Sequence, residues 1–157
     1  MILAILFEGE FEITRSREET FAFLADTQKF APCLPTFESL EMEDDESATV
    51  KIKIGIGKIR GIATINLVLE ESESPTRARY SGKGSVMGSA FNLIAGFDLE
   101  EINGGTLVKW SGELKMFGKL VALAGGLIKP IAKKDIKRLI DALQKALDPG
   151  PGGQAAG

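Results

Sequence analysis

The sequence predicts an α+β domain in which a curved antiparallel sheet of six to seven strands wraps a long C-terminal helix, with two short helices after the first strand. Three observations carry this. Apolar residues alternate with polar ones, the period of a half-buried strand, through most of the chain from Phe7 to Met116. The pattern then turns helical, with Leu120, Ala124, Leu127, Ile131, Ile136, Leu139, Ile140, Leu143 and Leu147 on one stripe. Early in the chain, Ser16-Arg17-Glu18-Glu19 reads as a capping box.

The elements follow in order. Phe7, Gly9, Phe11 and Ile13 share one face of the first strand, with Glu8, Glu10 and Glu12 on the other. The capping box opens a helix carrying Phe21, Phe23 and Leu24, and a further short turn around Phe30 is closed by Pro32 and Pro35. Strands resume with Leu40 and Met42, then Val50 to Ile56, then Ile59 to Leu69, joined by turns at Glu43–Ser47 and Gly57-Lys58. Three more strands are marked by Ala78 and Tyr80, by Phe91 to Leu99, and by Val108 to Met116, with Asn103-Gly104-Gly105 as the last turn. Gly125, Gly126 and Pro130 predict a kinked or loose start to the final helix and a regular course from about Ala132 to Leu147. The domain is expected over residues 1–147, with a disordered Pro/Gly-rich tail over 148–157. A curved sheet with one apolar face needs a cover, and the last helix is the element long enough to supply it.

A chain of 157 residues fits one domain. The formal charge of -3 conceals an asymmetry, because residues 1–50 hold 12 acidic and 3 basic side chains. The opposite sign gathers at Lys129, Lys133, Lys134, Lys137 and Arg138. There is no histidine and one cysteine, so a disulfide and the usual zinc ligand sets are excluded, and no metal or cofactor is implied. The apolar start to Phe7 reads as strand rather than signal peptide, and the Leu120–Ile128 stretch falls short of the ~20 residues that span a bilayer, so a soluble, cytoplasmic protein is expected. Gly55-Ile56-Gly57 reads as a hairpin rather than a phosphate loop. Nucleic acid is not expected as a partner, since basic and aromatic residues do not interleave on the strands.

Assigned by parity, the charged strand residues face outward, with Glu38 the exception. An inside almost free of charge lacks the acid, base and nucleophile that catalysis needs, so no enzyme is expected. Small residues recur on the inward set: Gly9, Gly61, Ala63, Gly82, Gly84, Ala95 and Gly112. They leave room for an apolar cavity, or they let the sheet bend and the helix approach closely. In the first reading Ile54, Ile65, Leu67, Tyr80, Phe91, Leu93, Phe97, Trp110, Leu114, Leu120, Ala124, Leu127 and Ile131 line the cavity, and Tyr80 and Trp110 offer a hydroxyl and an indole N–H to a ligand. Cys33 reads as a packed small hydrophobe.

Five segments together resemble the CoxG family, named for the CoxG subunit of carbon monoxide dehydrogenase, in the START-like, helix-grip superfamily (SRPBCC). They are Gly9-Glu10-Phe11, Phe23-Leu24-Ala25-Asp26, Cys33-Leu34-Pro35, Ile56-Gly57-Lys58-Ile59-Arg60-Gly61, and Gly118-Lys119-Leu120 with Leu123, Leu127 and Ile128. Thr36 stands where the family usually has glycine. The resemblance implies a hydrophobic ligand pocket under the long helix and an accessory role beside a molybdenum hydroxylase such as carbon monoxide dehydrogenase. It also implies help with recruitment to the inner face of the membrane, where a quinone could be the cargo. Lys129, Lys133, Lys134, Lys137 and Arg138 of the last helix then meet either anionic headgroups or only solvent. Two other readings stay open: an interaction or maturation factor for an oxidoreductase that needs no ligand, and a cyclase- or hydrolase-type enzyme using Tyr80 and Glu38.

Overall fold

The computed structural model describes residues 2–56 and 59–147, leaving aside the side chains of Ile56, Ile59, Leu123 and Ala124. The Gly57-Lys58 turn and the tail expected to be disordered, 148–157, lie outside the described residues. Strand β1 spans Ile2–Ile13 and is followed by α1 (Arg17–Leu24), α2 (Thr27–Phe30) and a 3-10 turn (Ala31–Cys33). Six strands follow: β2 (Phe37–Met42), β3 (Ser47–Ile56), β4 (Ile59–Glu73), β5 (Arg77–Val86), β6 (Ser89–Ile102) and β7 (Gly105–Phe117). Helix α3 (Lys119–Leu147) comes last. The strands form one antiparallel sheet in the order β1-β7-β6-β5-β4-β3-β2.

Residues on one face of each strand are buried and those on the other exposed, as the period of two requires. All the strand charges assigned outward are exposed except Glu113, which is half-buried. Cross-strand ion pairs decorate the convex side, Arg77–Asp98 at 2.9 Å, Arg79–Glu71 at 3.2 Å and Lys109–Glu100 at 2.8 Å. Glu38 departs from the parity expectation. The pairing of β2 with β3 shifts register between Phe37 and Ser39, which turns Glu38 to the surface, where its carboxylate meets Lys53 at 3.4 Å.

The expected capping box forms: the Ser16 hydroxyl accepts from the Glu19 N–H, and the Glu19 carboxylate accepts from the Ser16 N–H. Its serine and arginine partners hold the exposed Glu19 carboxyl below the usual range. The short helices press Phe21, Leu24 and Phe30 into the concave face near β5 and β6. There Phe30 stacks on Tyr80 with centroids 5.3 Å apart and meets Phe97 edge-on at 5.6 Å.

Helix α3 begins at Lys119, as the change to a helical period after Gly118 predicts, and it is helical throughout the segment expected to be kinked or loose, with Pro130 inside it. An interior proline costs roughly 3 kcal/mol, and burial of apolar residues on either side offsets it. Leu120, Val121 and Ile128 are buried before the proline, and Leu143 and Leu147 after it. Gly118, in the left-handed region at φ 84, turns the chain out of β7, and the first turn is tied down by the Leu120 N–H donating to the buried Ser89 hydroxyl at 3.0 Å. No helix among the described residues is long and apolar enough to cross a membrane.

Candidate functional site

Helix α3 comes closest to β1, β3 and β7 and keeps further from β4, β5 and most of β6, so it bridges the two rims of the trough. Its ends are sealed, yet its middle is not: Ile131, Ile136, Leu139 and Ile140 remain only half-buried. Openings flank that middle segment on both sides. A cleft of about 680 Å³ separates α3 from the ends of β3 and β4, with Ile54, Ile62 and Ile131 as its apolar residues. On the opposite flank a groove of about 430 Å³ runs between α3 and β1, lined by Leu6, Phe7, Trp110, Ile136 and Ile140. Both volumes fall in the range of small-molecule sites.

The residues expected to line one cavity are distributed between these openings and the packed core. Ile54 and Ile131 face the cleft and Trp110 the groove. Ile65, Leu67, Tyr80, Phe91, Phe97 and Leu120 are buried in the core, with Leu93 and Leu114 half-buried against it. Leu127 is 49% exposed. The side chain of Ala124 is outside the described residues.

The glycines explain how side chains are laid on the concave floor. Gly9 pairs with Trp110, and a Cβ at Gly9 would stand 2.9 Å from the indole Cζ2, so the ring lies flat across the glycine. Gly84 serves Phe91 in the same way, with the Thr64 carbonyl 2.7 Å from where a Cβ would be. Gly112 differs: only the Ile94 carbonyl, at 3.6 Å, comes near its Cβ position. Close packing therefore accounts for Gly9 and Gly84, while free space remains at Gly112.

The two polar groups expected to face a ligand have separate fates. The Tyr80 hydroxyl is buried and donates to the Leu24 carbonyl at 2.7 Å. Burial, partly offset by the Thr27 hydroxyl, pushes its pKa up to about 12. The Trp110 indole nitrogen is also buried, but it has no hydrogen-bond partner among the described residues. An orphaned buried donor costs roughly 1–3 kcal/mol, and a ligand acceptor in the groove would remove that cost.

The basic residues of α3 divide into two rows. Lys129, Lys133 and Lys137 border the groove, and Lys134 and Arg138 border the cleft; all five are exposed. Strand parity says nothing of this split, although the four-residue spacing within each row contains it. Thr36, at the cleft edge, has φ 58, and its hydroxyl donates to the Lys53 carbonyl at 2.6 Å. Cys33 is half-buried, with its thiol pushed up by burial and directed at the Lys29 carbonyl 3.8 Å away. No group of three or more acidic or cysteine ligands suited to a metal occurs among the described residues.

Residues 9–148 match the family of CoxG, a carbon monoxide dehydrogenase subunit. No curated protein matches the chain. Among solved structures, a conserved protein from Geobacillus kaustophilus superposes with a TM-score of 0.81 at 21% identity, over 91% of this chain and 95% of that one. A START superfamily protein from Mycobacterium smegmatis gives 0.64 at 12% identity, over 90% and 96%. Norcoclaurine synthase from Thalictrum flavum gives 0.61 at 14% identity, over 92% and 87%. At these identities the likeness establishes the START-like fold.

Proposed function

The chain belongs to the carbon monoxide dehydrogenase CoxG family, and from that premise we propose that it is a non-catalytic carrier of an apolar small molecule, a quinone or a lipid. The cargo seats against the middle of α3, and the carrier serves a molybdenum hydroxylase of the carbon monoxide dehydrogenase type. The observation that carries this reading is the half-buried isoleucine stripe of α3 between two openings. A helix serving only as a lid would seal its apolar stripe along its whole length, as α3 does at its ends. The unpartnered Trp110 indole nitrogen supplies one directional contact for a carbonyl or hydroxyl of the cargo.

The non-catalytic part of the proposal is supported by residue chemistry: the Tyr80 hydroxyl donates to a backbone carbonyl and Glu38 is exposed and paired with Lys53, so these two candidates for acid/base work do not converge. Contact with a membrane during loading is part of the proposal, and the two exposed rows of basic residues support it by offering about 1 kcal/mol each near an anionic surface.

The chain has one tryptophan, so its emission reports on the groove directly. Titration of the intact protein with a short-chain benzoquinone analogue and with a neutral long-chain alcohol is expected to shift Trp110 emission saturably for at least one of them. Native mass spectrometry of protein purified without detergent is expected to show a bound adduct. Absence of both a saturable shift and an adduct overturns the carrier reading and leaves the ligand-independent factor.

A further inference from the structure

The cleft beside β3 and β4 has an apolar lining and a basic rim. Lys53, Arg60, Lys134 and Arg138 border it, against the single carboxylate of Asp135. Two of the four cations are engaged, Arg138 with Asp135 at 3.6 Å and Lys53 with Glu38 at 3.4 Å. Arg60 and Lys134 have no ion pair among the described residues. The Arg60 guanidinium lies directly over Gly55, where a Cβ would be 2.8 Å from Nη1. Glycine at 55 therefore lets a planar, five-donor group rest on the strand at the cleft mouth.

We propose that this cleft binds the anionic head of a single-chain amphiphile, a carboxylate or phosphate on an acyl-type chain, with Arg60 and Lys134 as head-group ligands. The chain packs along the apolar lining residues Ile54, Ile62 and Ile131. Positive charge at the mouth of an apolar cleft selects an acid over the neutral molecule of the same length, because charge-assisted hydrogen bonds strengthen next to low-dielectric walls. This inference rests on the carrier reading and narrows its cargo to an acidic lipid.

The test compares dodecanoate with 1-dodecanol on the full chain by isothermal titration calorimetry and native mass spectrometry. Dodecanoate is expected to bind the unaltered protein about tenfold or more tightly than the alcohol, with the difference shrinking as salt is raised. In Arg60→Gln/Lys134→Gln the acid is expected to lose about tenfold while the alcohol is unchanged. Both positions are exposed, and an unchanged melting temperature checks the fold. Lys83→Gln/Lys115→Gln removes the same charge from exposed strand positions outside both openings and is expected to leave acid binding unchanged. Equal binding of acid and alcohol overturns the inference and leaves the carrier reading standing, as does equal loss in the two double variants. Binding of neither probe overturns this inference, and the carrier reading then stands or falls on the quinone titration.

Discussion

The two ends of the concave face are built on different terms. Under α1 and α2 the apolar groups are enclosed: Leu24 and Ala31 are fully buried, Tyr80 is stacked on Phe30 and hydrogen-bonded to Leu24, and Phe97 meets Phe30 edge-on, although Arg17 Nε of α1 is buried without a partner among the described residues. Beneath the middle of α3 the same sheet leaves isoleucines half-exposed, an indole donor without a partner among the described residues and two openings on the flanks. Sequence composition is similar in both regions, so hydrophobicity alone does not separate core from site. What separates them is how completely the apolar groups are enclosed, and the half-buried stripe of α3 is where that enclosure stops.

Truncation tests that contrast most strongly. Phe30→Ala is expected to cost about 3–5 kcal/mol, because a 5% exposed ring leaves a cavity against Tyr80 and Phe97, and the melting temperature should fall by on the order of 10 °C. Ile131→Ala, at a half-buried position open to the cleft, is expected to cost about 1 kcal/mol and a few degrees. Equal losses in chemical denaturation would mean that the helix is packed as tightly as the core, and the comparison would fail.

The next effect is polar. Tyr80→Phe strands the Leu24 carbonyl in the sealed end and is expected to cost about 1–3 kcal/mol. The chain has one tyrosine, so alkaline titration at 295 nm reads Tyr80 alone. Its folded pKa, about 12, is raised above the ordinary value of 10.0. The folded state therefore holds its proton longer than the unfolded chain. The stabilisation is fully present below pH 10.0, declines as pH rises between the two values, and is gone above the folded one. Tyrosinate absorbance rising near the ordinary value in folded protein would show that the hydroxyl is accessible.

Glycine substitutions resolve the concave floor itself. Gly84→Ala drives a methyl into Phe91 and the Thr64 carbonyl and is expected to cost about 1–3 kcal/mol. Gly112→Ala meets only the Ile94 carbonyl at 3.6 Å and is expected to change stability by about 0.5 kcal/mol or less. Equal costs on urea unfolding would erase the distinction between filled and free positions along the trough.

Much of this architecture is legible in the residues because burial on one face imposes a period of two and a covering helix imposes 3.6. The capping box at Ser16 and the outward charges of β5 to β7 follow from local chemistry. Glu38 does not, since the register shift beside it reverses parity and leaves no mark in composition. The first half of α3 is helical where glycine and proline predict loose winding, because propensity takes no account of the burial of Leu120, Val121 and Ile128, a tertiary effect. The partner of Tyr80 is a backbone carbonyl 56 positions away, which no residue pattern encodes. The site is legible as a stripe on α3, and its division into cleft and groove depends on how far the helix stands from each rim, which is a property of the assembled sheet.

The smallest expected effect concerns strain at the cleft edge. Thr36 is a β-branched residue at φ 58, a conformation that costs a side-chain-bearing residue roughly 1–2 kcal/mol and costs glycine little. Its hydroxyl recovers part of this through the Lys53 carbonyl. Thr36→Ala keeps the strained backbone and loses the hydrogen bond, so it should be about 1 kcal/mol less stable than the parent. Thr36→Gly loses the same bond but relaxes the backbone, at an entropic cost of about 0.5–1 kcal/mol, and should stay within about 0.5 kcal/mol of the parent. Glycine above alanine inverts the order found at ordinary positions, where alanine is favoured. Denaturant midpoints giving alanine above glycine would show that the edge of the cleft is as relaxed as the sealed end, and that stored strain does not distinguish the two regions.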